Sequence, residues 1–415
     1  MEHRNSQFYI DREDRFGAHN YHPLPVVLEK GEGVFVWDVE GKKYFDFLAS
    51  YSAVNQGHCH PNIVKALTDQ AQKLALTSRA FYNNVLGEWE EKMTSLFGYD
   101  RVLPMNSGAE ADETALKLTR KWAYKVKGIP RNQAKIIVCN GNFHGRTISI
   151  ISMSSDPDAY NDYGPYTPGF IHIPYNNTEA LEKKLKDPDV AGFLVEPVQA
   201  EAGVYVPDNG YLKKAAELCK KYRVLLIADE VQTGLARTGK MLACDHEQVK
   251  PDILVLGKAL SGGMYPVSCV LADNEIMLTI KPGEHGSTYG GNPMAARISI
   301  AALNVIIEEN LAENAAKMGE LFRKSMRTIK SEMIETVRGK GLLNAIVIKP
   351  GHGKTAWDLC MAMKEHGLIA KPTHEHIIRF TPPLVITEEQ MLEAIELIKK
   401  TIKEFDDQII APVLR

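Results

Sequence analysis

The chain is expected to fold as an α/β protein: a large, mostly parallel sheet, and a smaller α/β unit built from both ends of the chain. Three observations carry this. First, short apolar runs recur in the middle: Lys135-Ile-Ile-Val-Cys139, Gly192-Phe-Leu-Val195, Val224-Leu-Leu-Ile-Ala228, Ile253-Leu-Val-Leu256 and Ser268-Cys-Val-Leu-Ala272. They are continuous rather than alternating, as strands covered on both faces are. Second, helical stretches such as Tyr211 to Tyr222 lie between them, which implies right-handed crossovers and parallel pairing. Third, both ends read differently from the middle. At roughly 150 residues per domain, 415 residues suggest two or three units. The expected division is a small unit from 1–51 and 299–415 and a large one over 52–298.

Near the start, Val34 to Val39 and Tyr44 to Phe47 flank Glu40-Gly41, the pattern of a hairpin with its turn in place. The last third predicts helix from about Ala301 to Ile329, a strand from Leu342 to Ile348 and a closing amphipathic helix. That helix opens at Thr387 with Gln390 three residues on, a capping box. Met391, Ile395, Ile398, Ile402 and Phe405 then share one face.

Composition removes whole classes. Hydrophobic residues at 44% and charged residues at 24% describe an ordinary globular chain, not a collagenous, coiled-coil or disordered one. Lysine and arginine number 49 against 52 acids, a net charge of −3, which argues against nucleic-acid binding through bulk positive charge. No apolar run approaches the roughly 18 residues of a membrane span. The six cysteines are scattered without a C-x-x-C pair, so free thiols in a reducing compartment are expected. The first residues mix charge signs and lack an apolar core, which makes cytoplasm the expectation, or the mitochondrial matrix if a presequence has been removed.

Some motifs mislead. Gly234-Leu-Ala-Arg-Thr-Gly239-Lys240 has phosphate-loop spacing, but Met241 stands where a hydroxyl should bind magnesium. Gly353-Lys354-Thr355 has the right ending, with Ile348 in place of the first glycine. His58-Cys59-His60 lacks further ligands at a familiar spacing, so no metal site is expected. No G-x-G-x-x-G follows a strand.

The chemistry gathers where the expected strands end, which is where open α/β sheets bind ligands. One run ends in Asp229-Glu230-Val231-Gln232, and a carboxylate there needs a partner unless it only caps a helix or joins an ion pair. The next ends in Gly257-Lys258, and the run to Gly263 is rich in small residues that leave room for a flat group near the backbone. Ser107-Gly108-Ala109 opens a helix whose free N–H groups suit a phosphate. Phe143 and Arg146 follow another strand, and Gly286-Ser287-Thr288 begins a small, polar loop. Each signal alone is weak. Together, phosphate cradle, aromatic face, aspartate and lysine are the parts needed to hold pyridoxal 5'-phosphate.

In this order and spacing the chain resembles the class III, fold-type I pyridoxal-phosphate aminotransferases. The resemblance runs from Gly17-Ala-His-Asn-Tyr-His-Pro-Leu-Pro25, through Tyr51-Ser-Ala-Val-Asn-Gln-Gly-His-Cys-His-Pro61 and Ser78-Arg-Ala-Phe-Tyr82, to Lys281-Pro-Gly-Glu-His-Gly-Ser-Thr-Tyr-Gly-Gly291 and the last helix. Within the family it is similar to the branch acting on the δ-amine of ornithine. The activity so implied moves that amine to 2-oxoglutarate, giving glutamate 5-semialdehyde, which cyclises, and glutamate.

The resemblance also implies roles. Lys258 is the Schiff-base lysine and proton shuttle; Asp229 faces the pyridine nitrogen and Gln232 the phenolic oxygen. Phe143 stacks on the ring. Ser107, Gly108 and Ala109 form the phosphate cradle, while Ser287 and Thr288 reach the phosphate of a neighbouring subunit, which implies a homodimer or an assembly of dimers. Tyr21, Tyr51 and Arg146 hold the α-amino and carboxylate end of ornithine. Arg379 binds the α-carboxylate of glutamate or 2-oxoglutarate, and Glu201 pairs with Arg379 while ornithine is bound. Ala200 and His144 depart from the family, which usually has glycine and often an aromatic there. The rivals are an ω-aminotransferase for N-acetylornithine or 4-aminobutyrate, against which Tyr21 and Tyr51 speak, and a non-catalytic protein of the same fold.

Overall fold

The structure is a computed structural model that describes residues 5–350 and 353–410. Its centre is a seven-stranded sheet in the spatial order Arg101–Met105, Ser268–Ala272, Ile253–Leu256, Leu225–Asp229, Val190–Val195, Lys135–Cys139 and Phe170–Ile173. Ser268–Ala272 alone runs antiparallel to both neighbours; the other six strands point one way.

The continuous apolar runs have a direct cause. Ile136, Val138 and Ile227 pack into a core on one face, while Ile137, Cys139, Leu226 and Ala228 pack into another on the opposite face. With no solvent face, no polar alternation is needed. Both edge strands escape the apolar-run criterion. Arg101–Met105 carries Pro104 and an exposed arginine, and Phe170–Ile173 carries an exposed histidine. An edge strand tolerates both because one side of its ladder is unpaired.

Two four-stranded sheets flank this core. One joins Leu28–Glu32, Phe35–Asp38 and Lys43–Asp46 to Leu368–Ile369, so both ends of the chain meet in a single sheet. The other is antiparallel, in the order Ile334–Lys340, Leu343–Ile348, Ile377–Phe380, Lys371–Thr373. The helix expected over Ala301 to Ile329 is two, Pro293–Glu308 and Leu311–Arg327, because Asn310 turns left-handed (φ 51°) between them. The closing helix Glu388–Ile410 carries the expected capping box: Gln390 N donates to Thr387 Oγ1 (3.2 Å) and Thr387 N to Gln390 Oε1 (2.9 Å). Among the described residues, no helix is long and apolar enough to cross a membrane.

The misleading motifs find structural uses. In the 234–240 loop, fully buried Arg237 donates to Leu342 O (3.0 Å), Pro382 O (2.7 Å) and Asn55 Oδ1 (2.5 Å), tying three segments together. His58 and His60 hydrogen-bond to different carboxylates, Asp46 at 2.7 Å and Glu309 at 2.8 Å. Five of the cysteines are buried free thiols; Cys59 is exposed.

Candidate active site

A cavity of about 170 Å³ opens at the strand ends and is lined by Gly108, Ala109, Phe143, Asp229, Gln232 and Lys258 among others. Six of the residues singled out from sequence therefore converge on one space. Asp229 is the last residue of its strand; its Oδ1 accepts from Val231 N (2.9 Å) and its Oδ2 from His144 Nδ1 (2.6 Å). Lys258 begins a short 3-10 turn after strand Ile253–Leu256, with φ at 43°, a left-handed value unusual for a lysine. Burial lowers the Lys258 amine below the usual lysine range; Arg379 pushes the same way, while Glu201, Asp229 and Glu196 oppose it. An amine so placed loses its proton more readily and becomes a better nucleophile and base.

Gly108 and Ala109 open the helix Gly108–Trp122, where first-turn N–H groups have no helical carbonyl to bond. Ser107 caps it through a reciprocal pair with Glu110. A Cβ on Gly108 would stand 2.9 Å from Val231 Cγ1, so any larger residue there would push on the cavity wall. Ser287 Oγ accepts from Asn106 Nδ2 of the same chain (2.8 Å), next to this cradle, and Thr288 is exposed.

Above the cavity, buried Arg379 lies on strand Ile377–Phe380 and its Nη1 donates to Glu201 Oε1 (2.6 Å) and Gln232 Oε1 (3.3 Å). Gln232 Nε2 also donates to Glu201 Oε1 (3.1 Å). Burial raises the Glu201 carboxyl, but the charges of Arg379 and Lys258 and the two hydrogen bonds win, bringing it down to about 2. Glu201 is therefore anionic at neutral pH.

Tyr51 lies beside this pair, with the Arg379 guanidinium 5.3 Å from its ring centre. It is delivered by four consecutive left-handed residues, Ala49, Ser50, Tyr51 and Ser52, with φ from 46° to 72°. Such residues cost roughly 1–2 kcal/mol each. Asp46 Oδ1 holds the turn by accepting from the Leu48 and Ala49 amides at 2.8 and 2.9 Å. Tyr21 is exposed, and Arg146 stands over Phe143 at 5.4 Å.

Sequence reasoning passed over several residues here. Lys371 lies directly opposite Arg379 in the sheet, donates to Tyr51 Oη (3.2 Å) and sits over the Tyr21 ring at 5.5 Å. Nothing in the linear pattern joins positions 51 and 371. Asp112 and Glu196 complete the cavity wall. Burial, then the charge of Asp229, holds both carboxyls well above the usual range. Glu196 was findable, since it follows the buried strand Val190–Val195 as Asp229 ends its own.

The pattern of the family described as aminotransferase class-III matches residues 16–402. The mitochondrial ornithine aminotransferase of Drosophila melanogaster is 66% identical over 96% of this chain and 92% of its own. A Toxoplasma gondii ornithine aminotransferase structure superposes with a TM-score of 0.97 at 48% identity, over 98% of this chain and 96% of that one. An Elizabethkingia anophelis structure described as an acetylornithine aminotransferase is 61% identical with a TM-score of 0.89, over 97% of this chain and all of the other (100%). Matched over nearly its whole length in sequence and in fold, the chain belongs to the class-III aminotransferases.

Proposed function

We propose that this protein transfers the δ-amino group of L-ornithine to 2-oxoglutarate, with pyridoxal phosphate as cofactor, giving glutamate 5-semialdehyde and glutamate. The observation that carries the reading is the Arg379–Glu201 pair at 2.6 Å above a cavity that holds Lys258 and Asp229. The cavity residues fit the cofactor: free amides at Gly108 and Ala109 for the phosphate, Phe143 and Val231 as walls for a flat ring, Asp229 for the ring nitrogen and Lys258 for the aldehyde. The related Toxoplasma gondii structure holds this cofactor at partial occupancy in its active site. Bound there, pyridoxal phosphate exchanges an amine through its aldehyde and accepts carbanion electrons into a protonated ring.

The chain's own residues do the rest. Lys258 would anchor the cofactor and, once freed, would carry a proton through Nζ between the two carbons on either side of the transferred nitrogen. Asp229 would hold the proton of the ring nitrogen in place, and Gln232, which bridges to Glu201, would steady the phenolic side. Tyr21, Tyr51 and Arg146 receive the α-amino and carboxylate end of ornithine, which leaves the δ-amine to point at Lys258. Glu201 occupies Arg379 during that half-reaction, so no α-carboxylate docks there. When 2-oxoglutarate arrives, its α-carboxylate displaces Glu201 from the guanidinium. The functional unit is a homodimer in which Ser287 and Thr288 reach the partner's phosphate, and residues 52–298 form the cofactor unit. The compartment is the cytoplasm, or the mitochondrial matrix if a presequence has been removed; the Drosophila and rat relatives are named as mitochondrial.

A second reading, use of N-acetylornithine, comes from the Elizabethkingia relative. Initial rates with ornithine, N-acetylornithine and 4-aminobutyrate, with product analysis, test both. A preference for ornithine with only δ-product is expected. Faster turnover of N-acetylornithine would replace the first reading with the second.

A further inference from the structure

Beside Asp229, in the wall of the same cavity, lies a group that no part of the proposed reaction uses. His144 has no exposed side-chain surface and donates from Nδ1 to Asp229 Oδ2 at 2.6 Å. Its Nε2 is buried without a hydrogen-bond partner among the described residues, and so is Asp112 Oδ1. One ligand-type atom from each of Asp112, His144 and Asp229 falls within 4.8 Å of the others. Two buried carboxyls and one imidazole thus share a single small space.

We propose that His144 and Asp112 are positioning residues that make Asp229 the one negative charge presented to the cofactor's ring nitrogen. This rests on the reading of the cavity as a pyridoxal-phosphate site. Two adjacent carboxylates out of water repel, so the pair keeps a proton on one member. The environment places that proton on Asp112. Burial raises its carboxyl most, followed by the charges of Asp229 and Glu196, a hydrogen bond to Asp229 and the charge of Glu113. As an acid, Asp112 donates to Asp229. The Asp229 anion then accepts from the Asp112 hydroxyl, from His144 Nδ1 and from Val231 N. Hydrogen bonds to the charged form favour that form. Without the imidazole donor, the Asp229 carboxylate loses one of its hydrogen bonds and holds a positive ring nitrogen less well.

Asn can supply an amide N–H near the place of Nδ1, and Leu cannot. Protein freed of cofactor and reconstituted with ring-15N pyridoxal phosphate separates them through the nitrogen chemical shift, with cofactor loss on dialysis as a second readout. At pH 8, wild type and His144→Asn are expected to show a protonated ring nitrogen. His144→Leu is expected to move towards the unprotonated signal and to lose cofactor about tenfold faster, the scale of one hydrogen bond to a charged group. A protonated signal in His144→Leu equal to wild type overturns the proposal. If His144→Leu does not fold, His144→Phe takes its place under the same criterion. Failure of wild type itself to trap cofactor at Lys258 on borohydride reduction would instead overturn the cofactor reading.

Asp112 is tested without cofactor. A carboxyl whose folded pKa is raised costs stability once pH exceeds its unfolded value, about 3.9. Thermal unfolding of cofactor-free wild type and Asp112→Asn should therefore diverge above that pH, with wild type falling behind. Parallel curves would remove Asp112 as the proton holder.

Discussion

Two buried arginines show how one side chain serves architecture in one place and chemistry in another. Arg237 is fully buried, and its main contacts are two backbone carbonyls and an amide oxygen. Burial brings its guanidinium down to about 9, with only Asp46 acting the other way. Arg379 is nearly as buried, yet its hydrogen-bond partners are two side chains, Glu201 and Gln232. Backbone oxygens cannot leave without unfolding a segment, whereas a glutamate can swing through its own torsions. The lesson lies in the partner: fixed oxygens suit a clamp, and the proposed switch rests on a mobile one.

The largest expected effect is at the switch. Arg379→Leu should slow the 2-oxoglutarate half-reaction by roughly 10²- to 10⁴-fold, the worth of about two charged hydrogen bonds at 1.5–3 kcal/mol each. Its thermal unfolding should change far less than its kinetics, and stopped-flow mixing with 2-oxoglutarate checks this. Arg237→Met should do the reverse. It leaves buried acceptors unsatisfied at about 1–3 kcal/mol apiece, so unfolding should come at clearly lower denaturant while the folded fraction keeps near-normal rates. If Arg237→Met is as stable as wild type, the clamp is not one.

Glu201→Ala sharpens the comparison by removing the mobile partner alone. The oxo-acid half-reaction should hold or improve, because nothing must be displaced, and ornithine should begin to yield α- as well as δ-product. An equal loss in both half-reactions with only δ-product would make Glu201 structural. Lys371→Met should be milder, about tenfold in kcat/KM for ornithine, because it removes one charged donor next to Tyr51. A twofold effect or less would leave Lys371 as packing. The smallest effect is in pH. Glu201 falls from 4.5 unfolded to about 2 folded, so its stabilisation is complete above about pH 4.5 and is lost as pH falls towards 2. Wild type should lose stability through that window faster than Glu201→Gln.

Much of this molecule was legible in the linear chain, for a physical reason. Strands covered on both faces must be apolar at every position, so the five inner runs stand out, whereas the edge strands Arg101–Met105 and Phe170–Ile173 carry proline, arginine or histidine and do not. Lys258 and Asp229 were readable because a polar group directly after a buried strand has to be explained. Two features of the sequence, the strand-end polar groups and the capped helix at Ser107, thus marked the proposed cofactor end of the cavity. No local pattern marked the proposed substrate end: the roles of Tyr21, Tyr51, Arg146, Glu201 and Arg379 entered through the family resemblance alone, and only tertiary structure supplied their contacts. Arg379 meets Glu201 across 178 positions, Lys371 meets Tyr51 across 320, and His144 meets Asp229 across 85. Local periodicity and propensity reach only a few residues along the chain, so no window on the sequence holds both members of such a pair. The crossovers of the sheet bring them together, and with them the partners that set the buried clamp of Arg237 apart from the proposed switch at Arg379.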